Sequence, residues 1–141
     1  MLKGKNLPDV SPLVDSNFIA EVETFILTAG HDAAKLREPV FMDVSREGDT
    51  MMQMNGTSKA IRADDMIMKD AHGICCSILY GQDNRSPISP ETSHVLYVSY
   101  APAGVQAKAV DLHLQRIVEN IRLFSPTAVI EQQQLLVAEI R

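Results

Sequence analysis

Residues 81–93, GQDNRSPISPETS, carry the side chains of this chain best suited to chemistry. Asp83 and Arg85 set a carboxylate and a guanidinium two positions apart, with Ser86, Ser89, Glu91 and Thr92 behind them. On an open loop such a pair is a surface ion pair worth about 0–1 kcal/mol. At the mouth of a cleft the same pair would hold a charged ligand. Apolar runs at 74–80 and 95–100 have the length and residue types of buried strands and flank this segment. A long polar loop pinned between two strands is where sites concentrate.

Other signatures are missing. The sequence has no Gly-x-x-x-x-Gly-Lys phosphate loop, no Gly-x-Gly-x-x-Gly and no Gly-x-Ser-x-Gly elbow. Its four histidines show no paired spacing for a metal, so neither metal nor cofactor is expected. Cys75 and Cys76 lie in an apolar strand, where neighbours face opposite sides and at most one could reach a cleft. With no cation adjacent in sequence to lower a thiol pKa, both are expected to be reduced, structural residues. His72 falls in a turn, His94 borders a strand and His113 is placed on the polar side of a helix, so none is given a catalytic role. The methionines that gather between Met42 and Met68 follow strand alternation and are expected to fill the core.

The supporting elements are read from periodicity and turn chemistry. Residues 1–12, polar and with two prolines, are expected to be an arm. Asp15 or Ser16 can cap a helix over 17–29, with Phe18, Val22, Phe25, Ile26 and Ala29 at helical spacing and Gly30 as its stop. Residues 31–39 are left as a loop or single turn. Strands are expected at 40–44, 51–54, 66–68, 74–80 and 95–100, with hairpin turns at Asn55-Gly56 and at Asp70-Ala-His-Gly73. The clearest helix spans 106–124, with Val110, Leu114, Ile117, Ile121 and Phe124 on one stripe. Alternation across 128–137 favours a last strand.

Strands that cluster and join by hairpins point to an α+β fold with a mixed, largely antiparallel sheet and helices on one face. The two apolar strands and the helix stripe predict a core of Ile74, Cys76, Ile78, Val95, Leu96 and Val98 under the 110–124 helix. At 141 residues one domain is expected over 1–141, and no apolar run is long enough to cross a bilayer. Without a secretory signal, adjacent cysteines suit a reducing compartment, and the protein is expected to be cytoplasmic. Thirteen Lys and Arg against eighteen Asp and Glu give a net charge of −5, the wrong sign for non-specific nucleic-acid affinity. A small local basic face of Lys59, Arg62, Lys69 and Arg85 is still available.

The ordered motifs do resemble a known family. Met66-x-Met-x-Asp70-x-x-Gly73, an apolar strand, and then Ser86-x-Ile-Ser-x-Glu-Thr92-x-x-Val-Leu look like the B3/B4 domain of the phenylalanyl-tRNA synthetase β subunit. Leu13-Val-Asp15-x-x-Asn17, Gly30-His31-Asp32 and Met54-Asn-Gly56 followed by Ile61-x-x-Asp-Asp65 agree with it in order, from about Leu13 to Leu136. The segment Gln82-Asp83-x-Arg85-Ser86 is closer to freestanding relatives, since the synthetase has a glycine-rich stretch and a Glu there. Those relatives usually carry tryptophans before the loop and extra helices upstream, and neither is found here, so either a short member or a piece of a longer chain, with an incomplete pocket, is expected.

The resemblance implies a tRNA-binding and editing-type domain acting on mischarged aminoacyl-tRNA in trans, with tRNA or aminoacyl-tRNA as partner. It does not imply aminoacylation. By the same resemblance Asp83, Thr92 and His31 would be the catalytic set. Asp83 would hold the substrate ammonium, with Asn84 as the alternative one residue on. Thr92 or Ser86 would bond the carboxyl or the water, and Arg85 the terminal phosphate. Asn84, Arg85 and Ser86 are thus the substrate-binding set. The other reading is a non-catalytic module for RNA or an amino-acid-like ligand. No membrane partner is expected, and a homodimer is left open.

Overall fold

A computed structural model describes residues 11–138. The expected arm, 1–12, lies largely outside them, but Ser11 and Pro12 already begin helix α1, Pro12–Thr24. Ser11 is the N-cap, its hydroxyl accepting from the Leu13 N–H, and Pro12 occupies the first helical position, where a missing N–H costs nothing. The helix therefore starts earlier than Asp15 or Ser16.

It also stops earlier than expected. Phe25 takes a left-handed backbone conformation at φ 59°, its N–H closing onto Glu21 O. The chain then runs out as strand β1, Leu27–Asp32, against β8, Val95–Tyr100. The six-residue antiparallel register pairs Leu27 with Tyr100 and Asp32 with Val95. Periodicity misread this segment because Phe18, Val22 and Phe25 mimic a buried stripe but stand exposed, Phe25 at 90%. The face of α1 that is buried carries Ser16 and Ala20 instead.

The remaining strands are β2 (Phe41–Val44), β3 (Thr50–Met52), β4 (Ser58–Ala60), β5 (Met66–Asp70), β6 (Gly73–Ser77) and β7 (Gly81–Gln82), and α2 spans Ala107–Phe124. They form three antiparallel sheets, β1–β8, β2–β5–β6–β7 and β3–β4. The fold is α+β. The 74–80 run does not stay straight. It ends at Ser77, turns, and Gly81, at φ 84°, starts β7 back along β6, pairing Cys76 with Gln82. That reversal carries the head of the polar loop into the interior.

The core lies in two clusters. Leu36, Met68, Cys75, Cys76 and Tyr100 form one, with Leu96 and Val98 packed on it, while Met51, Ile61, Ile67 and Ile74 form the other. Ile78, expected inside, is in the turn and 37% exposed. Both cysteines are buried because the register slips between Met68 and Lys69, leaving Cys75 as the unpaired extra residue of a bulge. Of the clustered methionines only Met51 and Met68 are inside. Met42, Met52, Met54 and Met66 alternate outward.

Helix α2 does not cover the sheet core as expected. It packs on α1, where the small side chains of Ser16 and Ala20 meet its buried Val110, His113 and Ile117. Asn120 Nδ2 donates to Ser16 O at 3.0 Å, locking the crossing. His113 is not on a polar face. It is fully buried, with Nδ1 2.7 Å from Thr24 Oγ1 and Nε2 2.5 Å from Thr28 Oγ1. The expected strand over 128–137 is absent. Its residues make no ladder, and Val129 and Val137 are exposed. Among the described residues no helix is long and apolar enough to cross a membrane.

The α1–α2 contact sets an expectation. Ile117→Ala should cost about 2–4 kcal/mol in urea denaturation, the range for truncating a buried aliphatic side chain. Leu123→Ala, on the same helix but 85% exposed, should stay within about 0.5 kcal/mol. Equal effects would mean that α2 does not pack as described.

Candidate functional site

The β6–β7 reversal gathers four of the six expected site residues, three of them in one buried hydrogen-bonded chain and Arg85 ion-paired to its end. Asp83, whose N–H donates to Cys75 O at 2.8 Å, is 1% exposed. The Ser86 hydroxyl, also buried, donates to Asp83 Oδ1 at 2.7 Å. His31, at the end of β1, is fully buried with Nδ1 2.8 Å from Ser86 Oγ. Because Ser86 spends its proton on Asp83, it can only accept from the imidazole. Nδ1 therefore carries the ring hydrogen, and Nε2 is a bare acceptor with no partner.

Arg85 closes the other side. Its Nε is 3.2 Å from Asp83 Oδ2, an ion pair without the alignment of a hydrogen bond, and its Nη1 is 3.3 Å from Asp70 Oδ1. Asp70 also accepts from the Arg37 and His72 N–H groups. Burial raises the Asp70 carboxyl, but those two N–H groups and the guanidinium outweigh it and hold it below the usual carboxylate range. At Asp83 burial wins over the Ser86 hydrogen bonds and the Arg85 charge, and the carboxyl is raised. Burial brings His31 down to about 4 against the pull of Asp70, so it is neutral at pH 7. Burial also pushes the Cys75 thiol up to about 12, with the Asp70 and Asp83 charges adding to it.

The other two residues lie apart from this chain. Thr92 Oγ1 donates to Asp32 Oδ2 at 2.8 Å and accepts from the Ser89 N–H, stapling the far end of the loop to β1 one residue beyond His31. Asn84 is exposed, its N–H bound to Met52 O. Sequence reasoning missed Gln82. Its Nε2 donates to Gly30 O at 2.7 Å and Ser86 O at 3.2 Å, and lies 3.2 Å from His31 Nδ1. It opens the motif Gln82-Asp83-x-Arg85-Ser86 but has no role in that reading, because its contacts depend on the reversal.

Gln82 and Gly30 also form part of the wall of a cleft of about 420 Å³ between α1, β1 and the β6–β7 turn. Gly30 leaves room there, since a Cβ would sit 2.8 Å from Ile88 Cδ1 and 3.2 Å from Tyr97 Cε1. The walls are largely aliphatic, with Val14, Leu27, Ile78 and Ile88 among them, and Asn17, Glu21, Thr28 and Tyr100 supply polar groups. None of the six expected site residues lines it. Gln82 is the link between the cleft and the buried chain. Among the described residues no group of three His, Cys, Asp or Glu side chains could hold a metal ion.

The sequence matches the B3/4 domain family over residues 1–137. An N-terminal fragment of the phenylalanyl-tRNA synthetase β subunit from Pyrococcus horikoshii has a similar structure, with a TM-score of 0.63 at 11% identity, over 77% of this chain and 38% of that one. At that identity the likeness shows the fold alone, and the chain spans well under half of the fragment. No curated protein matches the sequence.

The neutral, buried state of His31 has a measurable consequence. Its folded pKa is about 4 against 6.5 in an unfolded chain, so between those values only the unfolded chain binds the proton. Stability is therefore full above pH 6.5 and falls on acidification, by about 1.4 kcal/mol per pH unit and about 2 kcal/mol between pH 7 and pH 5. His113, lowered mainly by burial, acts in the same direction. Urea melts of His31→Asn should show a shallower pH dependence over this range than the parent, and an unchanged slope would mean that His31 is charged in the fold.

Proposed function

We propose a function from one premise: the chain belongs to the B3/4 domain family. On that premise we infer a domain that takes the acylated 3′ end of a mischarged aminoacyl-tRNA and hydrolyses its ester in trans, in the cytoplasm. The observation that carries this reading is the aliphatic-walled cleft of about 420 Å³ with Gln82 and the His31 chain at its edge. A space of that size takes an amino-acid side chain and leaves its ester beside polar groups.

The local chemistry points to water as the attacking group. Ser86 gives its proton to Asp83, and the Cys75 thiol is pushed up to about 12, so neither is an activated nucleophile. An aminoacyl ester is already activated. It needs a positioned water, a fixed acyl group and donors toward the developing oxyanion. Water adds through its oxygen to the carbonyl carbon, the bond to the ribose oxygen breaks, and the displaced proton passes to that ribose oxygen. In this reading Gln82, whose two N–H groups are spent on Gly30 O and Ser86 O, and the neutral His31 act as acceptors that position the water, with Arg85, about one-third exposed, reaching the terminal phosphate. Asp83 and Ser86 position His31. Asp83, expected to hold the ammonium, has Ser86 on one oxygen and Arg85 beside the other, which favours that supporting role.

A second reading is a binding module without turnover for RNA or an amino-acid-like ligand. One observation favours it: His31 and Asp83 are both buried, and neither lines the cleft.

A panel of mischarged tRNAs separates the two. The intact protein should hydrolyse at least one well above the spontaneous rate, and Gln82→Ala should lower the second-order rate by up to about ten-fold, the loss of one neutral hydrogen bond. Asp83→Ala should cost both rate and stability, since it orphans the Ser86 hydroxyl and leaves Arg85 with Asp70 alone. If no charged tRNA is hydrolysed faster than in buffer, the enzyme reading falls and the binding module stands.

A further inference from the structure

Helix α1 grips strand β1 at a single residue. Asn17 Nδ2 donates to Thr28 O at 2.9 Å, and Glu21 Oε1 accepts from the Thr28 N–H at 2.6 Å. Asn17 and Glu21 are four residues apart, so they lie one above the other on the same helix face. That face borders the cleft. The grip uses only one polar atom from each side chain. Asn17 Oδ1 is buried with no hydrogen-bond partner, and Glu21 Oε2 has neither a hydrogen bond nor an ion pair among the described residues. Across the same cleft Tyr100, 6% exposed, has a buried hydroxyl that also has no partner.

Two buried polar groups without partners, Asn17 Oδ1 and the Tyr100 hydroxyl, are costly for an empty fold, and with the unpaired Glu21 oxygen on the α1 wall they are what a polar-headed ligand would satisfy. The two on α1 are both acceptors and one carries negative charge, so the complementary group is a cation with several N–H donors. We infer that Asn17 Oδ1 and the Glu21 carboxylate form an acceptor pair that holds the α-ammonium of the ligand whose side chain fills the cleft. The assignment rests on the reading of the cleft as an aminoacyl site. It places recognition of the amine on α1, about one helical turn of acceptors, rather than on the polar loop. Glu21 is held still by the Thr28 N–H, so it meets the ammonium without first being ordered. Thr28 is itself braced from behind, its hydroxyl lying between His113 and Ser99.

Glu21→Gln isolates the charge, because the amide oxygen can still accept from Thr28 and keep the grip. The probes are 3′-aminoacylamino-3′-deoxyadenosines, which carry an amide in place of the hydrolysable ester. They are prepared with alanine, leucine, phenylalanine and tyrosine, each with a free and an N-acetylated amine. Equilibrium binding to the full chain should show at least one free-amine probe bound more than ten-fold tighter than its acetylated twin. Glu21→Gln should cut that preference to below about three-fold. Glu23→Gln, on an exposed carboxylate paired with Arg116, should leave it unchanged.

Equal binding of free and acetylated probes, an unchanged preference in Glu21→Gln, or no binding of any probe would overturn the assignment. The hydrolysis panel reports separately. Amine-selective, Glu21-dependent binding without hydrolysis removes the enzyme and keeps the ammonium pair. Hydrolysis without amine selectivity does the reverse.

Discussion

The buried hydrogen-bonded chain from His31 through Ser86 to Asp83, with Arg85 and Asp70 beyond it, is the constraint on which the rest of the site depends. A carboxylate as enclosed as Asp83 survives only if its oxygens are matched, because an unpaired charge in an apolar interior costs several kcal/mol. Here the match comes from Ser86 and Arg85 of its own loop, and His31 of β1 in turn holds Ser86. The loop therefore cannot swing free without exposing the charge mismatch, and β1 cannot shift register without losing His31 from Ser86. Thr92, tied to Asp32, fixes the other end of the same loop to the same strand. A thirteen-residue polar segment thus becomes a firm wall with no regular structure beyond the two residues of β7.

That wall faces helix α1 across the cleft, and the two sides are built in different ways. On the loop side the polar groups satisfy one another, with only His31 Nε2 and Asp83 Oδ2 left without hydrogen-bond partners. On the helix side the grip on Thr28 leaves acceptors facing inward. Small residues make this arrangement possible. Ser16 and Ala20 let α2 approach α1 closely, and Gly30 lets Ile88 and Tyr97 close over β1. Charge is unevenly placed as well: the Arg85 guanidinium sits beside Asp83 and Asp70, while Glu21 has no cation near it among the described residues.

Much of this was legible in the residues. The hairpin turns at Asn55-Gly56 and Asp70–Gly73, the strand 95–100 and the helix ending at Phe124 follow from local turn chemistry and periodicity, and the structure has them all. The family was legible in ordered short motifs. What was not legible was set by tertiary competition. Residues 27–29 satisfy a helical pattern, yet the six-residue pairing of Leu27–Asp32 with β8 draws them into a strand. The 74–80 run reads as one strand until Gly81 lets it double back, and that reversal alone buries Asp83 and brings Gln82 to His31. His113 looked polar by composition and is buried because Thr24 and Thr28 present hydroxyls to both ring nitrogens. Asn17 was visible as part of a motif. Its free oxygen was not, since that depends on which atom Thr28 occupies.

The order of donors in the buried chain is open to direct observation by ¹⁵N NMR of the histidine side chains. At pH 7 His31 should be a neutral ring with its hydrogen on Nδ1 and a non-protonated Nε2, and it should stay so down to about pH 5. His31→Gln removes the resonance and so assigns it. A ring protonated on both nitrogens at pH 7, or one carrying its hydrogen on Nε2, would contradict the donation from His31 through Ser86 to Asp83, and with it the reason the polar loop holds its place.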